Sequence, residues 1–268
     1  MSNKVLEWIK KTGFALELEA ASAFRAAGFE VRQSFTYPDP QSDKGREIDV
    51  LAQVPDIMGI IEIYFVLECK ASSKPWVVLA SESTLENYSR LSAFAITSEA
   101  AREAIAKKII SNDSGKPNYL QRSSRCGYGF RQAFGSNDDA AYAATIGALK
   151  ACSGLVKDRI TPTIPRLAFA FPVIVVDSPL FECSLKGDGE LHLQEVEESD
   201  FLCSAYIPDV VGCCIKVIRK ELLSKYATEA KQLEITIRQS LKDEEDSAIK
   251  LTGLNKANSA DTKNRAAD

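Results

Sequence analysis

Asp49 in "GREIDVLAQV" (45–54), and Glu68 and Lys70 in "FVLECKASS" (65–73), are charged side chains set into two otherwise apolar segments. Residues two apart in a β-strand share a face, so Glu68 and Lys70 project together. If the two segments pair as neighbours through the short connection between them, Asp49 converges with both at one end of a sheet. Two carboxylates packed that closely repel, and a divalent cation is a natural way to keep both ionised. Oxygen ligands select a hard ion, Mg²⁺ or Mn²⁺. Such an ion polarises a phosphodiester and helps to generate hydroxide from water, while a lysine orients or deprotonates the nucleophile and steadies the charge developing on phosphorus. The chemistry that suits the pattern is phosphodiester hydrolysis. The plainer alternative is an internal ion pair between Asp49 and Lys70, with Glu68 solvated at a strand end.

A further carboxylate is out of place nearby. Over 14–27, "FALELEAASAFRAA", the apolar positions Leu16, Ala20, Ala23, Phe24 and Ala27 recur at helical spacing, and Gly28 follows where a helix stops. On a helical wheel Glu17 falls inside the apolar arc beside Ala20 and Phe24, whereas Glu19 falls on the polar side. A carboxylate facing a core needs a partner, a proton or a metal. The ordinary reading of Glu17 is a first-turn acid favoured by the helix dipole.

The elements that would position these groups follow along the chain. "FEVRQSFTY" alternates as a half-buried strand, "PDPQSDKG" is a turn, "REIDVLAQV" and "IIEIYFVLECKA" are strands, and "SSKPWVVLAS" extends the sheet. A helix is expected over about 84–110, opened by Ser83 and Glu86 in capping-box spacing, and another over 137–160. "RLAFAFPVIVVDSPLFECSL" reads as a mostly apolar strand run whose Pro172 argues for an edge, a break or a bulge. "KGDGE" is a hairpin turn into "LHLQEVEE", "FLCSAYI" and "VVGCCIKVI" are further strands, and a last helix starts near Arg219.

The ordered set of Glu17 in a helix ending at Gly28, Asp49 in "REIDVLA" and Glu68-Cys69-Lys70 in "VLECKAS" resembles the PD-(D/E)xK nuclease superfamily, with a Mrr-like and resolvase-like flavour. The resemblance covers about residues 12–80. It implies an α/β restriction-endonuclease-like core (αβββαβ, a central mixed sheet flanked by helices), followed by a C-terminal α+β elaboration. It also implies metal ligation by Asp49 and Glu68, with the Cys69 main-chain carbonyl as a further ligand, Lys70 as the catalytic lysine and Glu17 as an accessory ligand. No glutamine-bearing helix motif follows the lysine strand, so the subfamily and substrate stay open; Asn87 and Tyr88 are loose substitutes.

With 268 residues, 45% of them apolar, the chain can bury one large core. Residues 1–110 are expected to hold the motif-bearing core, 111–136 a basic and aromatic loop insertion, 137–245 the rest of the same domain, and 246–268 a disordered tail without aromatics. The net charge of -4 gives no global attraction to nucleic acid, so such binding needs a local patch. The 111–136 segment offers one: Lys116, Arg122, Arg125 and Arg131 stand against Asp113 alone, interleaved with Tyr119, Tyr128, Phe130 and Phe134, types that suit phosphate contact and base stacking. An ordinary connecting loop is the equal alternative. DNA is the expected partner and RNA the alternative, with a homodimer or a larger defence or repair assembly as the setting. Seven scattered cysteines without ligand spacing, a lone His192 and no apolar run of about 18 residues argue for reduced thiols, no membrane and a cytoplasmic site.

Overall fold

The computed structural model describes residues 1–39, 41–42, 44–56, 58–81, 93–111, 126–135, 140–157, 165–187, 189–203 and 212–251. The chain opens with helices α1 (Ser2–Lys11) and α2 (Phe14–Ala26). Leu16, Ala20, Ala21 and Phe24 form the buried stripe of α2. The helix stops where expected: Gly28 turns left-handed at φ +88°, its N–H reaches Arg25 O, and the Phe29 N–H reaches Phe24 O. This double closure, with the Phe24 and Phe29 rings 5.3 Å apart, is a Schellman stop, and the left-handed residue in it favours glycine.

Three antiparallel strands follow: β1 (Glu30–Pro38), β2 (Gly45–Gln53) and β3 (Ile61–Lys70). The β2–β3 turn is pinned by the Asp56 carboxylate, which accepts from the N–H groups of Met58, Ile60 and Ile61. Next come β4 (Trp76–Ser81), β5 (Ile96–Thr97), α3 (Glu99–Ser111), β6 (Cys126–Gln132), α4 (Ala140–Val156) and β7 (Leu167–Val176). The chain continues through β8 (Leu180–Leu185), β9 (Leu191–Val196), β10 (Glu198–Cys203), β11 (Cys213–Arg219), α5 (Leu223–Ser240) and α6 (Lys242–Leu251). The strands form one mixed sheet in the order β1-β2-β3-β7-β11-β10-β6-β4-β8-β9, with β5 beside β7. β7 runs parallel to β3 on one side and to β11 on the other, and every residue of β7 is buried. That continuous apolar run is what a strand covered on both faces requires.

Helices cover the two faces. On one, α2, α3 and α5 pack over Phe65, Phe94, Phe169 and Phe171; on the other, α4 packs over Val66, Trp76, Ile174 and Phe201. The architecture is therefore mixed α/β, with a large central mixed sheet flanked by helices. No helix among the described residues is long and apolar enough to cross a membrane.

Several expectations are corrected. The 111–136 loop contains strand β6, seated between β10 and β4, because Gly127 and Gly129 let the backbone approach its neighbours. A Cβ at Gly127 would lie 2.3 Å from Val78 Cγ1 and 2.8 Å from Phe201 Cβ. The helix expected over 84–110 is broken: Ile96 and Thr97 pair with β7, and Ser98 caps α3 by accepting from the Ala101 N–H at 3.3 Å. The proposed cap at Ser83 and Glu86, like Asn87 and Tyr88, lies outside the described residues. Pro172 is central rather than at an edge. On the side away from β3 it falls between Ala170, the end of the β5 pairing, and Val173, the start of the β11 pairing, so its missing N–H interrupts neither of those two ladders. β4 does join the sheet but pairs with β6 and β8, far from β3. The expected tail begins as helix: α6 runs through 246–251, and 252–268 lie outside the described residues.

Candidate functional site

The β2–β3 ladder runs from Gln53↔Tyr64 to Val50↔Leu67 and stops there, although β2 extends back to Gly45 and β3 on to Lys70. The two strands fork at Asp49. Beyond the fork β2 stays with β1 and β3 stays with β7, whose pairing reaches Lys70↔Val176. Asp49 fills the split: its Oδ2 accepts from the Cys69 N–H at 2.7 Å, so the carboxylate takes the place of a ladder acceptor. Glu68 and Lys70 stand on one face of β3, and Lys70 Nζ donates to Glu68 Oε1 at 2.8 Å.

The fork has a backbone cause. Val31, Val50 and Ala52 pack into the core under α2, whereas Phe35, Tyr37 and Ile48 pack into the core under α4. Strict alternation would keep Val31 with Phe35, and Ile48 with Val50, on one face. Both strands change faces at a single step, where Gln33↔Val50 gives way to Phe35↔Ile48 and Ser34 takes a left-handed φ of +50°. Asp49 lies at that step. A left-handed serine within a strand costs about 1–3 kcal/mol and is held by its surroundings.

Four acids share this end of the sheet with one ammonium. Glu17 on α2 is half-buried and Glu19 is exposed, as the wheel predicts. Burial, then Asp49 and Glu47, raise the Glu17 carboxyl against the pull of Lys70. Burial raises the Asp49 carboxyl even though the Cys69 N–H and Lys70 favour its anion. Glu68 is pushed up to about 7 by burial and by the nearby Asp49 charge, against Lys70. Burial works against the Lys70 ammonium, but Glu68 and Asp49 outweigh it and hold the amine protonated. Cys69 turns its thiol into the core under α2, where burial and the acids push its ionisation well up and leave it inert as a nucleophile. The ion pair expected as the plainer alternative is therefore altered: Lys70 bonds Glu68, and Asp49 bonds backbone.

Helix α4 closes the site from the other side. A Cβ at Gly147 would lie 3.5 Å from Glu68 Oε2, so the helix backbone rests against the carboxylate. Tyr37 on β1 donates to Gly147 O at 3.4 Å, and burial, with Glu68 among the nearby acids, raises its hydroxyl. One turn further, Lys150 Nζ reaches Asp39 Oδ2 at 3.2 Å. Asp39 also accepts from the Gln41 N–H and from Arg46. Sequence reasoning missed Tyr37, Asp39, Gly147 and Lys150; the one available signal was a lysine inside the apolar stretch "GALKACSGLV".

Of the expected nucleic-acid residues, Lys116, Arg122 and Arg125 lie outside the described residues, while Tyr128 and Arg131 lie on β6. β6 is separated from β3 by β7, β11 and β10, so these two do not border the fork. A link does exist: Gln132 Nε2 donates to Ser72 Oγ at 2.7 Å, two residues after Lys70. His192 is a half-buried strand residue of β9, and Cys213 and Cys214 point into different core clusters. A cleft of about 370 Å³ between α3 and α6 contains none of the fork residues.

Among the described residues no three His, Cys, Asp or Glu side chains form a group that could hold a metal ion. The carboxylates at the fork are nevertheless hard oxygen donors. Mg²⁺ keeps several waters and is commonly held by one or two carboxylates, so Asp49 and Glu68 suit it by donor type. Compared with protein-family models, curated proteins and solved structures, the chain matches none.

Proposed function

We propose that this chain is a metal-dependent nuclease that hydrolyses phosphodiester bonds in DNA, in restriction, defence or repair. The observation that carries the reading is the fork, where Asp49 meets the Cys69 N–H and the Glu68–Lys70 pair stands on the adjoining strand. The order α2, β1, β2, β3, with β7 parallel to β3, supports the finer assignment to a restriction-endonuclease-like core. In this reading Asp49 and Glu68 hold Mg²⁺ or Mn²⁺, with Glu17 as an accessory and the Cys69 carbonyl as a further ligand. The ion, when bound, supplies Lewis-acid polarisation of the phosphate and lowers the pKa of water. Lys70 offers an ammonium beside the scissile phosphate, where it steadies developing negative charge. Without an ion, burial and Asp49 hold the Glu68 carboxyl up near 7, and a bound cation would favour its carboxylate form. The Cys69 N–H fixes the Asp49 carboxylate so that it costs no reorganisation during reaction.

The test is Mg²⁺- or Mn²⁺-dependent cleavage of plasmid and linear DNA. Cleavage should vanish in Asp49→Ala and Lys70→Ala while circular dichroism shows the fold retained; cleavage that persists in both variants removes the proposal. An RNA substrate run in parallel decides between the two nucleic acids. A second reading, a non-catalytic nucleic-acid-binding or regulatory subunit on the same fold, is favoured by one observation: Lys70 is already committed to Glu68. Salt-sensitive DNA binding without metal-stimulated product supports that reading.

A further inference from the structure

Two large aromatic side chains around β6 are held in solvent by irregular backbone. Tyr128 is 60% exposed and Phe134 is 86% exposed. In the β4–β6 ladder Leu79 pairs with Gly129 and Ala80 with Gly127, so Tyr128 is the extra residue of a bulge. A bulge re-aims the side chain it carries and is common beside functional sites. Phe134, just past the strand, has a left-handed φ of +55°, a genuine outlier for a bulky side chain. By contrast Phe130, between them, is buried and stacked on Trp76 and Phe201. Ordinary burial thus accounts for the middle ring, while the two flanking rings face solvent, Tyr128 on a bulge and Phe134 at the conformational cost of a left-handed backbone.

Arg131, between the two in sequence, is exposed, and its guanidinium donates one bond to Phe130 O at 2.8 Å. Residues 71–75 and 126–135 meet through Gln132–Ser72 and the Ala133 N–H to Pro75 O; they carry Lys74 and Arg131, and among the described residues the one carboxylate bonded to them is Asp177, which accepts from the Ser72 N–H at 2.8 Å, so the cations are in excess by one. In a chain of net charge -4 this is local complementarity to a polyanion. The six-residue step from Tyr128 to Phe134 spans at most about 20 Å, the rise of about six nucleotides of one strand. From Lys70 to Phe134, through Ser72 and Gln132, the path is at most about 25 Å.

We propose that Tyr128, Arg131 and Phe134 form a contact line for unpaired DNA, the two rings stacking on bases and the guanidinium meeting phosphate. The inference rests on the nuclease reading of the fork and specifies its substrate as DNA with a single-stranded segment beside the cleavage point. Stacking on an aromatic ring tolerates any base, so the contact line selects unpaired strands rather than a sequence.

The experiment measures anisotropy of a labelled 20-nucleotide oligothymidine and of a blunt duplex, with the full chain in EDTA so that cleavage plays no part. Tyr128→Leu and Phe134→Leu keep apolar bulk and remove the π-face. Each is expected to weaken single-strand binding by about 5-fold or more with little change for duplex, and Phe134→Trp restores it. Arg131→Ala is expected to lower the slope of log K against log salt by about 0.7. Unaltered single-strand affinity in the Tyr128→Leu/Phe134→Leu double variant overturns the inference, as does equal weakening for duplex or no binding by the parent chain. Mg²⁺-dependent cleavage by the parent chain is measured in parallel, so failure of the catalytic reading shows up separately, as absent cleavage with single-strand binding intact.

Discussion

Replacing Glu68 by glutamine tests whether the acids at the fork share one confined space. In the unfolded chain Glu68 releases its proton near 4.5; in the folded chain, surrounded by low-dielectric protein and facing Asp49, it does so near 7. Below pH 4.5 both states are protonated and the group has no effect on the pH dependence. Between 4.5 and 7 the unfolded state gives up its proton first, so the folded state loses stability as pH rises, and above 7 the loss is complete. At about 1.36 kcal/mol per pH unit, the interval corresponds to a loss of about 3 kcal/mol. Glutamine cannot ionise and escapes that loss; the attraction of Lys70 for the carboxylate is already contained in the value near 7. Glu68→Gln should therefore match the parent closely at pH 4, where both side chains are neutral, and be more stable at pH 8 by about 3 kcal/mol, or about 6 °C in Tm. Urea denaturation followed by circular dichroism at pH 4, 6 and 8, in EDTA, reads this directly. Adding Mg²⁺ at pH 8 should stabilise the parent, by linkage of binding to folding, and leave the glutamine variant nearly unmoved. A stability difference of the same sign and size at every pH would refute the argument, since it would mean that Glu68 ionises as freely folded as unfolded.

Other parts of the fold make independent predictions. Gly127→Ala should cost about 3 kcal/mol or more, because the new methyl would meet Val78 and Phe201 inside ordinary contact distance; an unchanged urea midpoint contradicts that packing. Burial alone would raise the Asp39 carboxyl, but the Gln41 N–H, Arg46 and Lys150 hold it down at about 2. The stability this lends is present above about 3.8 and lost as pH falls toward 2, so Asp39→Asn should flatten the acid limb of the stability profile. Asp39→Ala leaves the buried Lys150 ammonium short of a counterion and should lower stability by about 3 kcal/mol at pH 7 in the same denaturation assay. Ser34→Gly relieves a left-handed residue and should be neutral or stabilising by up to about 1 kcal/mol, whereas Ser34→Val should destabilise and impair any metal-linked stabilisation at the fork.

Much of the site could be read from local pattern. The helix carrying Glu17 is written in its apolar spacing and closing glycine, and the structure ends it at Gly28 by the expected left-handed turn. The strands carrying Asp49, Glu68 and Lys70 are written in runs of β-branched and apolar residues broken by single charges. β6 was hidden because its glycines, aromatics and arginines look like a loop by composition, and its strand character comes from neighbours that need the space a glycine leaves. Pro172 argued for an edge because proline removes a donor; whether that donor is needed depends on where two partner strands begin and end. The Asp39–Lys150 contact joins positions 111 residues apart, and no periodicity reports such a pairing.

The amino-acid order alone determined which residues could do chemistry and which elements carry them, because helix and strand periods and the stop at Gly28 act over a few neighbouring residues. Tertiary structure alone decided that β2 and β3 part at Asp49, that Lys70 pairs with Glu68 rather than Asp49, and that Gly147 of α4 lies against the Glu68 carboxylate. Those outcomes depend on a face change shared by two strands and on a helix arriving from far along the chain. They are set by packing among distant segments, to which local propensity is blind.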